Sequence, residues 1–307
     1  MYKRSEIVEA IGNTPLFELS RVAKGINDIK VYAKAEYLNP SGSVKDRAAR
    51  AMVLEGIRSG KLTKEKAILD ATSGNTGISY AMIGAALGYK VTLCLPKNTS
   101  SIRKKTLRAF NAEIIETDPL QSSDGAQIAA IKIAKGQPDK YFYSDQYNND
   151  ENWKAHYNTT SIEIWEQTEH KVTHFVAGMG TSGTFVGTSK RLKELNQSIK
   201  TIAMQPDSPL HGLEGIKHMA STILPGIYDQ SLVDGQIDIS TEDAQDMVLR
   251  LAREEGIFVG ISSGANVCAA LKLAEQVPPG SLIVTILCDN GFRYINEEIW
   301  LRSNQHD

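Results

Sequence analysis

Three cysteines, Cys94, Cys268 and Cys288, are all that 307 residues contain, and no two form a Cys-x-x-Cys pair. An odd number so widely spread makes neither a disulfide framework nor a zinc site, and no metal is expected. An excess of charge of either sign is also missing: 34 Lys and Arg stand against 36 Asp and Glu, for a net charge of -2. Such a balance leaves no electrostatic footprint for nucleic acid or an anionic membrane. No apolar run reaches the ~18 residues of a spanning helix. The opening Met1-Tyr2-Lys3-Arg4-Ser5-Glu6 lacks the apolar stretch of a secretory leader. A cytoplasmic location is expected, with neither nucleic acid nor membrane as a partner. No internal repeat, low-complexity stretch or flexible interdomain linker is visible.

What is present suffices for a real core, since 41% of the residues are hydrophobic. The length suggests about two lobes. β-branched runs at 30–35, 66–70, 90–95, 112–116, 172–177, 200–204 and 282–287 read as strands. Several are apolar on both faces, as in Leu282-Ile283-Val284-Thr285-Ile286-Leu287, which marks strands covered by helices on each side. Amphipathic or buried helical patterns lie between them, at 44–60, 76–88 and 240–256. The last begins with Ser240-Thr241-Glu242-Asp243, a capping pattern, and ends at Gly256. Alternating strand and helix predicts an α/β fold with largely parallel sheets. Residues 118–123 and 145–149 read as the least structured stretches, the second as a link between lobes.

Four turns rich in glycine and hydroxyls carry the chemistry. Asn39-Pro40-Ser41-Gly42-Ser43-Val44-Lys45-Asp46-Arg47 runs directly into a helix with Lys45 in its first turn. A lone lysine there reads first as a surface residue beside Asp46. Alternatively, a helix N-terminus and desolvation lower its amine pKa and suit it to form a Schiff base. Ala71-Thr72-Ser73-Gly74-Asn75-Thr76-Gly77 follows a strand and opens a helix. It is either a well-capped helix start or a carboxylate site built from hydroxyls, an amide and backbone N–H groups. Gly178-Met179-Gly180-Thr181-Ser182-Gly183-Thr184 has the form of a phosphate cradle. No Gly-Lys-Ser/Thr follows, so it is not a Walker loop. Its glycine spacing matches a dinucleotide fingerprint, but Gln205 past the next strand offers no acid for a ribose. The fourth turn, Gly260-Ile261-Ser262-Ser263-Gly264, taken alone reads as a helix cap.

Taken together, these turns resemble the pyridoxal-phosphate enzymes of the cysteine synthase and cystathionine β-synthase family. The resemblance begins at Ile11-Gly12-Asn13-Thr14-Pro15-Leu16. It runs through the lysine and Thr72–Gly77 motifs, Asp145-Gln146-Tyr147-Asn148-Asn149 and Leu224-Pro225-Gly226, and covers residues 7–300. Cys288-Asp289-Asn290-Gly291-Phe292-Arg293-Tyr294 and the Met179–Thr184 stretch resemble the B type, O-acetylserine sulfhydrylase B. Two departures stand out. Ser161-Ile162 replaces a usual Gly-Pro and Asn290 a usual arginine or serine, and both are expected to alter the pocket wall.

The resemblance implies a two-lobed fold type II, each lobe an open, mostly parallel sheet flanked by helices. Residues 35–145 would form a smaller mobile lobe with the substrate-carboxylate loop. Residues 1–34 and 146–307 would form a larger lobe holding the cofactor phosphate. The cofactor implied is pyridoxal 5'-phosphate, carried on Lys45, which then removes the α-proton of the substrate. Gly180, Thr181, Ser182, Gly183 and Thr184 would hold the phosphate, Asn75 the ring oxygen and Ser262 the ring nitrogen. Thr72, Ser73, Thr76 and Gln146 would hold the substrate carboxylate. The Gln205–Met219 segment, with Lys217, would face the departing β-substituent, and Cys288 and Asp289 would border the pocket. The implied reaction converts O-acetylserine and sulfide into cysteine, or thiosulfate into S-sulfocysteine, in a homodimer whose partners are these small molecules. Relatives using phosphoserine or homocysteine, or releasing sulfide from cysteine, share the same machinery. A non-catalytic scaffold is the remaining alternative, and intact Lys45 and anion loops argue against it.

Overall fold

The computed structural model describes residues 5–26, 28–72 and 74–302. Ten strands assemble into two sheets: β1 Leu16–Glu18, β2 Lys30–Lys34, β3 Ala67–Ala71, β4 Val91–Pro96, β5 Glu113–Thr117, β6 Tyr141–Tyr143, β7 His174–Gly178, β8 Lys200–Pro206, β9 Gly235–Ile239 and β10 Leu282–Ile286. One sheet runs β1-β2-β10-β7-β8-β9 and the other β5-β4-β3-β6. Neighbouring strands are parallel throughout, except that β1 lies antiparallel to β2. β3, β4 and β10 are buried at every position, which is why their sequences run apolar without alternation.

Ten helices flank the sheets: α1 Glu6–Glu9, α2 Lys45–Arg58, α3 Asn75–Leu87, α4 Ser101–Ala109, α5 Ser122–Gly136, α6 Asp150–Ala155, α7 Ser161–Gln167, α8 Gly183–Leu195, α9 Thr241–Arg250 and α10 Ile261–Ala274. A π-turn at His156–Thr160 joins α6 to α7. α9 starts at the expected cap, with Ser240 accepting a 3.0 Å bond from the Asp243 amide. α2 and α3 pack with Val8, Ile11 and Phe142 against one face of the four-stranded sheet, and α5 covers the other. α9 and α10 cover one face of the six-stranded sheet, while α7 and α8 cover the opposite face. Among the described residues no helix is long and apolar enough to cross a membrane.

All seven expected strands are present, with bounds within two residues of the reading. The expectation of an irregular stretch at 118–123 is corrected. Asp118 accepts a 2.9 Å bond from the Leu120 amide, a 3-10 turn forms at Pro119–Gln121, and α5 follows at once. Residues of all four chemical turns line two adjoining cavities. Two of the turns leave the C-terminal ends of β3 and β7, the usual place for ligands on parallel sheets.

Candidate active site

Lys45 is the first residue of α2, and its neighbours are tied to distant parts of the chain. The Val44 amide donates to the Cys288 carbonyl at 2.8 Å, and Ser43 bridges to Asp289. Just beyond lies a buried charge network. Arg47 donates Nε and Nη2 to both oxygens of Glu36, each at 2.7 Å, and Nη1 to Glu163 at 2.6 Å. Lys34, fully buried, pairs with Glu163 at 2.6 Å. Burial alone would raise the Glu36 carboxyl, but Arg47 outweighs it and holds the group at about 2. Burial lowers the Lys45 ammonium from its ordinary value, with the Asp289 carboxylate pulling the other way. Desolvation thus favours the neutral, nucleophilic amine.

The Thr72–Gly77 turn faces Lys45 from the end of β3. Thr72 Oγ1 accepts from the Gly74 and Gly77 amides at 3.1 and 3.2 Å, which fixes the turn. Thr76 donates to Gln146 Oε1 at 2.8 Å, and Gln146 Nε2 donates to the Ala71 carbonyl at 2.6 Å. Thr72, Thr76 and Gln146 therefore stand together, although Gln146 comes from the segment after β6. Ser73 lies outside the described residues. Asn75 donates one amide hydrogen to Asp289 at 2.7 Å and accepts from Arg293, leaving a second amide hydrogen for a ligand.

The 178–184 turn crosses from β7 into α8. Gly180 passes so close to the Gly215 carbonyl that a Cβ would overlap it, and a Cβ on Gly183 would overlap Asn152. Ser182 adopts φ +70°, a left-handed conformation that a serine rarely takes. Its hydroxyl is buried with no partner among the described residues. Asn152 donates to Thr181 at 3.0 Å, and Thr184 meets His156 Nε2 at 3.3 Å. Across the recess from this turn, Ser262 is the second residue of α10. Asn266 joins the walls: it accepts from the Gly178 amide at 2.8 Å and donates to the Ile286 carbonyl at 2.8 Å and Cys288 Sγ at 3.3 Å. Burial pushes the Cys288 thiol up to about 11, so it stays protonated at neutral pH.

These walls enclose a cavity of about 740 Å³ lined by Lys45, Thr72, Asn75, Thr76, Gln146 and Lys217. A narrow recess of about 30 Å³ shares Lys45, Asn75, Gly180 and Thr181 with it and reaches Ser182, Gly183, Thr184, Ser262 and Cys288. The described residues marked for cofactor and substrate, with Cys288, thus line one connected space, whereas Asp289, expected to border the pocket, is fully buried behind it and bonds Asn75 and Tyr294 instead.

A match to the family model described as "Pyridoxal-phosphate dependent enzyme" spans residues 7–289. The chain belongs to this family. It is 46% identical over 302 residues to a cysteine synthase of Aquifex aeolicus, covering 97% of this chain and 92% of that one. It is 41% identical over 292 residues to cysteine synthase B of Salmonella typhimurium, covering 95% of each. A solved cysteine synthase of Entamoeba histolytica superposes with a TM-score of 0.93 at 36% identity, covering 99% of this chain and 93% of that one.

The residues present suit the pyridoxal-phosphate cofactor of this family. The unpartnered Ser182 hydroxyl stands at the start of a 13-residue helix, whose first amides have no partners within the helix. With the flanking glycines, that is an anion cradle needing no cation.

Two expectations change. Neither Ser161 nor Asn290 lines the cavity or the recess. Ser161 bonds the Tyr157 carbonyl at 2.6 Å inside the π-turn, and Asn290 caps the Phe292 amide at 2.9 Å. Both are backbone-holding residues instead of pocket walls. Lys217 does line the cavity, but as an occupied cation. Its ammonium bonds Thr222 at 3.1 Å, lies 3.8 Å from Asp124 and sits 5.0 Å over the Tyr147 ring.

Arg103 and Arg293 are cavity residues that sequence reasoning did not reach, and Glu214 lies in the Gln205–Met219 segment expected there without having been singled out. Arg103 on α4 makes a two-pronged pair with Glu214, in the loop after β8. Arg293 donates to Asn75 and to the Ser41 carbonyl, tying two chemical turns to the C-terminal segment. Nothing local in the sequence signals these pairings.

Proposed function

We propose that this chain is a cysteine synthase making L-cysteine from O-acetyl-L-serine and sulfide by replacement at the β-carbon. The observation that carries this reading is a desolvated lysine standing between two anion sites. A hydroxyl and amide loop with Gln146 lies on one side, and a glycine cradle at a helix start on the other. Pyridoxal phosphate, when bound, supplies the electron sink that acidifies the substrate's α-C–H bond. Lys45 would carry it, and the free Lys45 amine would take the substrate's α-proton. Gly180, Thr181, Ser182, Gly183 and Thr184 hold the phosphate, and Asn75 donates its second amide hydrogen to the ring oxygen. Ser262 offers the ring nitrogen a neutral hydroxyl, which favours loss of a β-substituent over a long-lived carbanion. Thr72, Ser73, Thr76 and Gln146 hold the substrate carboxylate.

The donor follows from charge. A phosphoryl group brings about -1.5 to -2 charges and needs an available cation. Lys217 is engaged by Asp124 and Thr222, and the two arginines lining the cavity are engaged as well, Arg103 by Glu214 and Arg293 by Asn75 and the Ser41 carbonyl. These support an acetyl leaving group. Residues 35–145 act as a smaller mobile lobe closing over the bound carboxylate, and residues 1–34 with 146–307 as the larger lobe. Closure excludes water from the reacting centre. The protein works as a cytoplasmic homodimer, and sedimentation of the purified chain tests the dimer.

The deciding experiment measures cysteine formation from acetylserine, phosphoserine, serine and cysteine at fixed sulfide, then with thiosulfate in its place. Acetylserine is expected to give the highest kcat/KM, and a higher value for phosphoserine overturns the donor assignment. Lys45→Ala is expected to stay folded and lose both turnover and the borohydride-reducible visible absorbance. Normal turnover by that variant overturns the mechanism.

A further inference from the structure

Behind the carboxylate loop lies an acid that the proposed reaction does not use. Asp70 is the fourth residue of β3 and is fully buried. Its Oδ1 accepts from the Ala71 amide at 2.8 Å. Its Oδ2 accepts from the Tyr80 hydroxyl at 2.9 Å and from the Gln146 amide at 3.3 Å. Tyr80 has a single hydrogen, so if it serves Asp70, the 2.7 Å contact with Ser144 must be donated by Ser144. Asp70 thus holds the end of β3, just before Thr72, together with the turn after β6 that carries Gln146. The two sides also meet through Gln146 Nε2 and the Ala71 carbonyl. Thr76 and Gln146 touch each other across this junction.

Among the described residues this carboxyl makes no ion pair. Among the described residues, the groups acting on it are hydrogen-bond donors and one further acid, Asp145. The other titratable groups facing it are Tyr80 on α3, Tyr143 on β6, Tyr147 beyond β6 and Cys94 on β4. Burial raises all three tyrosines, and it pushes Cys94 up to about 11, so these four stay neutral near pH 7. Burial likewise pushes Asp70 up to about 7, against the pull of Tyr80 and the two amides. Asp70 is therefore poised to change charge in the range where the protein works.

We propose that Asp70 is a positioning residue for the substrate carboxylate: it fastens Thr72, Thr76 and Gln146 into one cradle, and its ionisation opposes the anion bound there. The proposal rests on the carboxylate-loop reading given above. Linkage fixes the sign. An anion bound nearby disfavours ionised Asp70, so binding takes up a fraction of a proton near pH 7, and affinity falls as pH rises through that region.

The probe is L-alanine, which carries the same carboxylate and amine but no leaving group. Its dissociation constant is measured with the cofactor-loaded protein by calorimetry from pH 5.5 to 8.5, and proton uptake from buffers of different ionisation enthalpy. Affinity of the unaltered protein is expected to fall about five- to thirty-fold more than that of Asp70→Asn over this range. That is the effect of one charge across roughly 8–16 Å at an effective dielectric of about 20. The part of the proton uptake that Asp70 supplies is expected to be missing from Asp70→Asn, so the two proteins should differ in net proton exchange near pH 7. Tyr80→Phe removes a bond that stabilises the ionised form, so it should move the midpoint to higher pH. This second variant decides the matter if Asp70→Asn fails to fold. An Asp70→Asn profile equal to that of the unaltered protein, or an unmoved midpoint in Tyr80→Phe, overturns the proposal. Thr76→Val separates the two readings. If it leaves L-alanine affinity unchanged, the carboxylate-loop assignment falls and takes this proposal with it. If it weakens binding while the Asp70→Asn profile is unaltered, the Asp70 proposal alone falls.

Discussion

Replacing Arg47 by Met tests the buried network that anchors the start of α2. Met keeps much of the apolar stem and removes the guanidinium, leaving Glu36 buried with no hydrogen-bonded cation. Breaking a buried ion pair from one side costs ~3–5 kcal/mol, mostly for the stranded charge. The shift of Glu36 gives a similar figure: from 4.5 to about 2 is about 3 kcal/mol of favourable interaction. In the unaltered protein that contribution is present above the unfolded value near 4.5 and is lost as pH falls through about 2. In Arg47→Met the sign reverses. Burial then dominates, the folded-state pKa of Glu36 rises above its unfolded value, and stability is lost as pH rises. The deficit of the variant is therefore largest at pH 8 and shrinks towards pH 5. Urea unfolding at pH 8, 7, 6 and 5, with one fixed cofactor concentration, reads this difference. Arg58→Met is the control, because Arg58 pairs with Glu55 at 2.6 Å in the open. An exposed pair of that kind is worth ~0–1 kcal/mol. A deficit in Arg47→Met below ~1 kcal/mol at pH 8, or one constant from pH 8 to 5, would refute the reasoning.

Further outcomes concern single side chains. Ser262→Ala removes one hydrogen bond, worth ~1 kcal/mol net, and should lower the rate of β-substituent loss about five-fold. Ser262→Asp should do far more damage by favouring a protonated ring, and equal rates in the two variants would remove Ser262 from the ring-nitrogen role. Lys217→Ala should change acetylserine kcat/KM only modestly, because its ammonium is already engaged, and should abolish any residual phosphoserine turnover, which would have to draw that ammonium away from Asp124 and Thr222. His156 is held neutral by burial, down to about 3, with Arg47 adding to the fall. Its contribution to stability is present above the unfolded value near 6.5 and is lost as pH falls towards 3. His156→Gln should flatten the stability profile across that interval by roughly 3–5 kcal/mol, read by thermal unfolding at stepped pH.

The sequence displayed backbone chemistry far better than it displayed distant pairings. Strands such as Leu282–Ile286 were readable because burial on both faces leaves a continuous apolar run. Leu16–Glu18 and Tyr141–Tyr143 were not, since three residues show no period. Gly235–Ile239 was missed although Ile237 and Ile239 alternate with polar neighbours, because its glycine and aspartate depress strand propensity. The glycine and hydroxyl turns stood out because their function is written in consecutive residues. Arg103, Arg293 and Asn266 join the site only through contacts between remote segments. For Lys217 the sequence allowed cations to be counted, but not the discovery of Asp124 beside it.

The pairing of Arg103 with Glu214 ties α4 of the four-stranded-sheet region to the loop after β8 of the six-stranded one. Both residues border the cavity. Any motion that widens the gap between them must pull two opposite charges apart, and Glu214 is exposed enough for dissolved ions to compete. Ionic strength then acts as a thumb on the hinge. With the lobe closure proposed above, dilute buffer is expected to hold the entrance shut longer between turnovers, and added salt, by screening the attraction, to shorten the wait for exchange.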